Sequence, residues 1–156
     1  KSVIPILKER GVKASFTLTI PEDEFKFMFG GESEYLKNLG PVSSKDCPKH
    51  YNNSDALFLP TLLESFTASY PEAMIMQRPI ITSDLPFANF ICGENNALFF
   101  DPLNPVDIAD KIESLVTNDV QYQNLVENGL KRVKQFLTPD QRSEKYIQIL
   151  EKISRN

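Results

Sequence analysis

The sequence predicts an α/β fold: a doubly wound, mostly parallel sheet with helices on both faces, closed by a C-terminal helical layer. Three observations carry this reading. Up to residue 104, short apolar runs alternate with helical patterns. One of these runs, Ala56 to Pro60, is continuously apolar, as expected for a strand covered on both faces. Beyond residue 104 only helical periodicity remains. A chain of 156 residues has the length of one domain able to bury a core.

The elements follow in order. Residues 2–10 read as the remainder of a first helix, ended by Gly11. Ala14 to Ile20 is rich in β-branched and aromatic residues and reads as the first strand. Pro21 and the acidic run Glu22-Asp23-Glu24 mark a solvated helix start, with Phe25, Phe27, Met28 and Phe29 as packing residues at helical spacing. A second, weaker strand, Tyr35 to Val42, ends at Gly40-Pro41, and a short helix covers 45–53. After the strand Ala56–Pro60, a helix over 68–78 carries Tyr70, Ala73, Met74 and Met76 on one side. The fourth and fifth strands are Pro79–Asp84 and Ala97–Phe100. Asn104-Pro105 is an N-cap followed by proline at the first helical position, and Ile108, Ala109, Ile112, Leu115 and Val116 form a stripe behind it. A second stripe runs through Tyr122, Leu125, Val126, Gly129, Leu130, Val133, Phe136 and Leu137. Thr138-Pro139 opens a last helix with Tyr146, Ile149, Leu150 and Ile153 expected to face inward.

Composition excludes several function classes. Seventeen Lys and Arg stand against 21 Asp and Glu, a net charge of -4, and no basic block occurs. A nucleic-acid partner held by phosphate neutralisation is therefore not expected. Cys47 and Cys92 form neither a disulfide framework nor a zinc spacing, and are read as reduced thiols of a cytoplasmic protein. The single histidine, His50, has no Cys or carboxylate at ligand spacing and reads as a surface or packing residue. No signal-peptide pattern opens the chain. It starts at Lys1 without an initiating Met and is expected to be a piece of something larger.

In doubly wound sheets ligands bind beyond the carboxyl ends of the strands. The turn after Pro60, residues 61–68, therefore lies at the functional edge, and the helix behind it aims free N–H groups back toward that crevice. Glu64 sits in the turn and Glu72 in the first turns of the helix. A carboxylate can accept two hydrogen bonds from a vicinal diol, and the amides between the two glutamates can meet a diphosphate. On spacing alone a second reading is the stronger one. Ser69-Tyr70-Pro71-Glu72 matches a capping box, with Ser69 as N-cap and Glu72 reaching back to its amide.

The ordered set of landmarks from Tyr51 to Pro102 resembles the C-terminal domain of the retaining glycosyltransferases of family four. They are Tyr51, Ser54-Asp55, the strand Ala56–Pro60, Glu64-Ser65-Phe66, Glu72-Ala73-Met74, Pro79–Ser83 and Leu98-Phe99-Phe100-Asp101-Pro102. The likeness extends back to Leu39-Gly40-Pro41-Val42 and forward into Val106–Val116. It implies a Rossmann-like domain, one half of a GT-B architecture, whose first strand and N-terminal acceptor-binding domain lie outside this chain. The implied activity is transfer of a hexosyl group, with retention, from a nucleotide-diphosphate sugar to a saccharide or lipid-linked acceptor in bacterial surface-polysaccharide synthesis. By position, Glu72 matches the glutamate that binds the ribose and Glu64 the one that faces the donor sugar. Ser65, Phe66, Thr67 and Ala68 match the turn that meets sugar and diphosphate, and Gly40, Pro41 and Val42 the loop near the base. Gly30 is a weaker donor contact at a glycine-rich turn. No metal and no cofactor is implied. The implied partners are the nucleotide sugar and the acceptor domain, with a cytoplasmic location, peripheral at the inner membrane face through that domain.

The chain departs from the family pattern at Ser65, where glycine is usual, at Thr67, where a small residue (often glycine) is usual, at Gln77, which replaces a glycine ahead of a strand, and at Ala88-Asn89-Phe90, where an Arg-Glu pair is common. The diphosphate-clamping Arg and Lys follow the first strand, and Lys1 stands near that place. Two alternatives remain open at this point: a sugar-nucleotide epimerase-like enzyme of the same fold, and a degenerate domain that binds nucleotide or a partner without catalysis.

Overall fold

A computed structural model describes residues 2–154; Lys1 lies outside the described residues. The elements alternate as α1 (Val3–Glu9), β1 (Phe16–Leu18), α2 (Glu22–Phe29), β2 (Leu36–Asn38), α3 (Cys47–Asn52), β3 (Leu57–Leu59), α4 (Ser69–Ile75), β4 (Ile80–Ser83), α5 (Pro86–Cys92) and β5 (Leu98–Phe100). Three helices follow: α6 (Pro105–Thr117), α7 (Asp119–Val133) and α8 (Pro139–Ser154). All strand pairing is parallel, and all five expected strands are present, each shorter than its apolar run.

The strands do not form one sheet. β1 pairs with β2, and β3, β4 and β5 form a second sheet in that order. β3 packs on both faces as its sequence suggests, with Phe58 against one core layer and Leu57 and Leu59 against the other, but it is less buried than its neighbour. Its three residues are each half-buried, whereas all four residues of β4 are buried. The difference is one of neighbours: β4 is paired along both edges, β3 along one only.

Alternation along the strands sorts the core into two layers. On one face Ile81 and Phe100 pack with Val3 and Leu7 of α1, with Ile108, Ala109, Ile112 and Leu115 of α6, and with Leu125 of α7. Arg10, just past α1, adds ion pairs to Asp110 and Glu113 of α6 at 2.6 and 2.9 Å. On the other face Ile80 and Ala97 pack with Tyr70, Ala73 and Met74 of α4 and with Ala88, Ile91 and Cys92 of α5. α7 closes this second layer at Gly129, where an added Cβ would stand 3.2 Å from the Met74 side chain, a tight contact that Met74 would have to yield to by a few tenths of an ångström.

The helix starts are legible in the capping chemistry. Asn104 accepts from the amides of Val106 and Asp107 at 3.1 and 3.3 Å, with Pro105 at the first helical position. Asn118 does the same for α7 through Gln121 at 2.9 Å. α5 is not expected from the alternation of runs, although Pro86 at its first turn is the signal that marks it.

Several expected core residues face water. Phe25 is buried and Phe29 half-buried, but Phe27 and Met28 lie on the outer side of α2. Val116 and Leu137 are exposed as well. No residue of α8 is buried: Tyr146, Ile149, Leu150 and Ile153, expected to face inward, are exposed. Helical spacing dictates which residues share a face, but not what lies opposite that face. No described helix is long and apolar enough to cross a membrane.

Candidate functional site

The carboxyl ends of β3, β4 and β5 point to one edge, and the loop 60–68 rises from the end of β3 before α4 begins. Glu64 and Thr67 are half-buried in this loop, while Ser65, Phe66 and Ala68 are exposed. Among the described residues, none of the amides of Ser65, Phe66, Thr67 and Ala68 donates to a protein acceptor. They form a run of unspent N–H donors between two carboxylates.

The capping box is not formed. Ala68 is the N-cap and makes no side-chain cap bond, and the Ser69 amide donates to Thr67 Oγ1 at 3.2 Å. The Glu72 amide donates to the Ala68 carbonyl at 3.0 Å, an ordinary helical bond. Its carboxylate is turned elsewhere, accepting from the Tyr51 hydroxyl at 3.2 Å. That hydroxyl also lies 3.3 Å from the Ser69 carbonyl. Burial first, and the charge and hydrogen bond of Glu72 next, push the Tyr51 phenol above its ordinary range and keep it protonated as a donor. Tyr51 is held in turn from below, since Arg78 Nε donates to its carbonyl at 2.8 Å. Sequence reasoning used Tyr51 as a landmark and missed it as the partner that orients Glu72.

Beneath the loop lies a buried polar relay. Thr82 Oγ1 donates to the Leu59 carbonyl at 2.9 Å, which leaves the Tyr70 hydroxyl to donate to Thr82 at 2.7 Å. The Tyr70 phenol is raised chiefly by burial, with a smaller upward push from the charge of Glu64. No hydrogen bond joins Glu64 to Glu72 among the described residues. Next to Thr82, the Ser83 hydroxyl is buried without a partner among the described residues.

Gly40, Pro41 and Val42 follow β2, with Gly40 at φ +70°. They therefore stand at the carboxyl end of a strand, as Glu64 does, but in the other sheet. Gly30 is not brought to the others. It is the left-handed C-cap of α2 and lines a cavity of about 470 Å³ with Ile4, Pro5, Phe29 and Leu36, which includes none of residues 64–68 or Glu72. Gln77, the residue in place of glycine, has φ +58° at the end of α4. Asn89 ties α5 to the end of β4, donating to Asp84 Oδ1 at 2.7 Å. Among the described residues no group of three His, Cys, Asp or Glu is placed to hold a metal ion.

Solved structures share this architecture. S. aureus TarM, as a variant in complex with Fondaparinux, α-GlcNAc-glycerol and UDP, superposes with a TM-score of 0.78 at 19% identity over 94% of this chain and 30% of that one. Sucrose-phosphate synthase from Thermosynechococcus elongatus gives 0.71 at 17% identity, over 85% of this chain and 33% of that one. Anabaena Alr3699/HepE in complex with UDP gives 0.66 at 15% identity, over 99% of this chain and 53% of that one. The chain thus spans about a third to a half of the length of these proteins. At such identities the likeness establishes the fold, that of a GT-B half-domain. No curated protein matches the sequence. The sequence model of the family described as glycosyl transferases group 1 matches residues 2–118, three quarters of the chain. This chain belongs to the group 1 glycosyltransferases.

Proposed function

We propose that the chain is the donor-binding, C-terminal domain of a retaining glycosyltransferase that moves a hexosyl group from a nucleotide-diphosphate sugar to a saccharide or lipid-linked acceptor. The observation that carries this reading is the run of free amides from Ser65 to Ala68 between Glu64 and Glu72, at the carboxyl end of β3. Amides with no protein acceptor are fixed dipoles that can take the charge of a departing diphosphate without reorganising. Glu72, held by Tyr51 instead of closing a helix cap, keeps acceptor capacity for the two ribose hydroxyls. Glu64 faces the donor sugar, and Gly40 to Val42 approach the base. The reading needs no metal and no organic cofactor. The acceptor-binding half, the role in surface polysaccharide, and attachment at the inner membrane face belong to the whole protein and are part of the proposal. The domain alone is expected to bind donor and not to turn it over.

UDP is the natural first probe, because TarM and Alr3699/HepE were each solved with it. Titration calorimetry with UDP, GDP and ADP tests the reading, and a folded sample that binds none of them sinks it. Glu72→Gln removes a charge-assisted pair of hydrogen bonds worth about 1.5–3 kcal/mol, so affinity should fall by roughly ten- to a hundredfold. Glu64→Gln should leave affinity nearly unchanged and lower turnover in the full-length enzyme.

A further inference from the structure

Tyr51 is fastened at both of its ends to one stretch of chain. Its hydroxyl donates to Glu72, in the first turn of α4, at 3.2 Å. Its carbonyl accepts at 2.8 Å from Nε of Arg78, just past the end of that helix. The guanidinium reaches further along α3, with Nη2 3.5 Å from the Asn52 carbonyl. α3 is thus clasped between the start of α4 and the residue that follows its end.

The two helices are seated with unequal firmness. Tyr70, Ala73 and Met74 bury α4 in the second core layer. Arg78 has a fixed base as well. Its amide donates to the Ala73 carbonyl at 2.8 Å, and the Pro79 carbonyl beside it accepts from Leu57 at 2.9 Å, where β4 begins to pair with β3. α3, in contrast, is six residues long and none of them is buried. So short a helix has too little backbone bonding to stand by itself. Its place on α4 is set by the half-buried Tyr51 ring, which packs against the same core layer, and by the bonds at the two ends of that residue.

The chemistry of Arg78 suits this task. Among the described residues no carboxylate pairs with it; its donors go to carbonyls at the end of α3. A guanidinium presents its donors in a rigid fork, so reaching two successive carbonyls fixes orientation as well as distance. Fixing the Tyr51 backbone fixes where its ring ends, and so where the hydroxyl meets the Glu72 carboxylate. Glu72 is exposed. An unheld glutamate in water spreads over several rotamers, and a ligand that binds it must first order the side chain.

We infer that Arg78 is a positioning residue of the donor site: acting through Tyr51, without touching the donor, it holds the Glu72 carboxylate in the arrangement that receives the ribose. This rests on the reading of Glu72 as the ribose-binding group. Ordering one long side chain in advance corresponds to about two- to tenfold in nucleotide affinity.

The test is a double-mutant cycle on Tyr51→Phe and Arg78→Met, with UDP binding measured by calorimetry below the melting temperature of every variant. Arg78→Met keeps an apolar stem and removes the donors. Each single variant should weaken binding by about two- to tenfold, and the double variant should bind no worse than the weaker of the two, because both act on one link. A purely structural arginine would lower the melting temperature and leave the affinity of the folded protein unchanged, which overturns the inference. Losses that multiply in the double variant overturn it too, since they put Arg78 on a route that bypasses Tyr51. A signal that needs no nucleotide separates this inference from the reading beneath it. With tyrosine labelled at the ring carbon Cζ, the Tyr51 resonance should move in Arg78→Met in the direction it moves in Glu72→Ala. A resonance unmoved by Arg78→Met breaks the link, whatever the chain binds. A resonance that moves in a parent chain binding none of UDP, GDP and ADP leaves the link standing but sinks the donor reading, and the positioning role with it. Should Arg78→Met not fold, Arg78→Gln, whose shorter side chain carries no fork, goes through the same cycle with the same deciding outcomes.

Discussion

Gln77→Gly should stabilise this protein. Gln77 sits at φ +58°, one residue past the C-cap of α4. Its amide donates to Met74 at 3.2 Å and the Arg78 amide donates to Ala73 at 2.8 Å, the paired bonds of a Schellman ending. That ending requires a left-handed residue, which costs a residue with a Cβ about 1–2 kcal/mol and costs glycine nothing. Glycine in turn loses about 0.5–1 kcal/mol more chain entropy on folding. The balance is a gain of about 0.5–1 kcal/mol, or about 1–4 °C in melting temperature for a chain of this size. The bonds on either side are backbone bonds, and Gln77 is itself exposed, so no side-chain contact offsets the gain. Thermal unfolding followed by circular dichroism, and urea midpoints at constant m-value, measure it. Gln77→Ala is the control: it keeps the Cβ and should not gain. If glycine and alanine behave alike, or glycine lowers the midpoint, then left-handed strain is not what Gln77 contributes and the reasoning fails.

Three further outcomes follow from neighbouring features. Thr82→Val leaves the buried Tyr70 hydroxyl without its acceptor and should cost about 1–3 kcal/mol, whereas Ser83→Ala removes a hydroxyl that is already unpartnered and should be neutral or slightly stabilising; equal losses in a melting experiment would refute the assignment of the relay. Burial pushes the Cys92 thiol from 9.0 up to about 12. The folded chain then holds a proton that the unfolded chain releases, so this contribution is intact below pH 9 and is lost as pH rises toward 12, by about 1.4 kcal/mol per unit at most. Cys92→Ala should flatten the decline in stability over that window, and an unchanged slope would show that Cys92 is not its source. Tyr51→Phe removes the hydroxyl that orients Glu72; nucleotide affinity measured by calorimetry should fall several-fold, with a stability loss of about 0.5–1.5 kcal/mol, and unaltered affinity would mean that Glu72 needs no such support.

The glutamate pair shows where sequence reading reached its limit. Ser69 to Glu72 has the spacing of a capping box, and nothing local to those four residues says otherwise. The choice against the cap was made by Tyr51, 21 residues away, which takes the Glu72 carboxylate. Gln77 is the opposite case. A glycine-type position was legible from the family pattern, and the left-handed backbone found there explains the preference.

The sequence by itself determined the succession of elements, because periodicity, caps and prolines act within a few residues of the chain. The starts of α6 and α7 at Asn104 and Asn118, and the apolar runs that became five parallel strands, are of this kind. What faces each element was decided only by the tertiary structure. α8 carries an apolar stripe that meets no core, and β3 carries an apolar run that is half-buried because one of its edges is open. A side chain's spacing tells which way it points; burial depends on whether another part of the molecule is there to meet it.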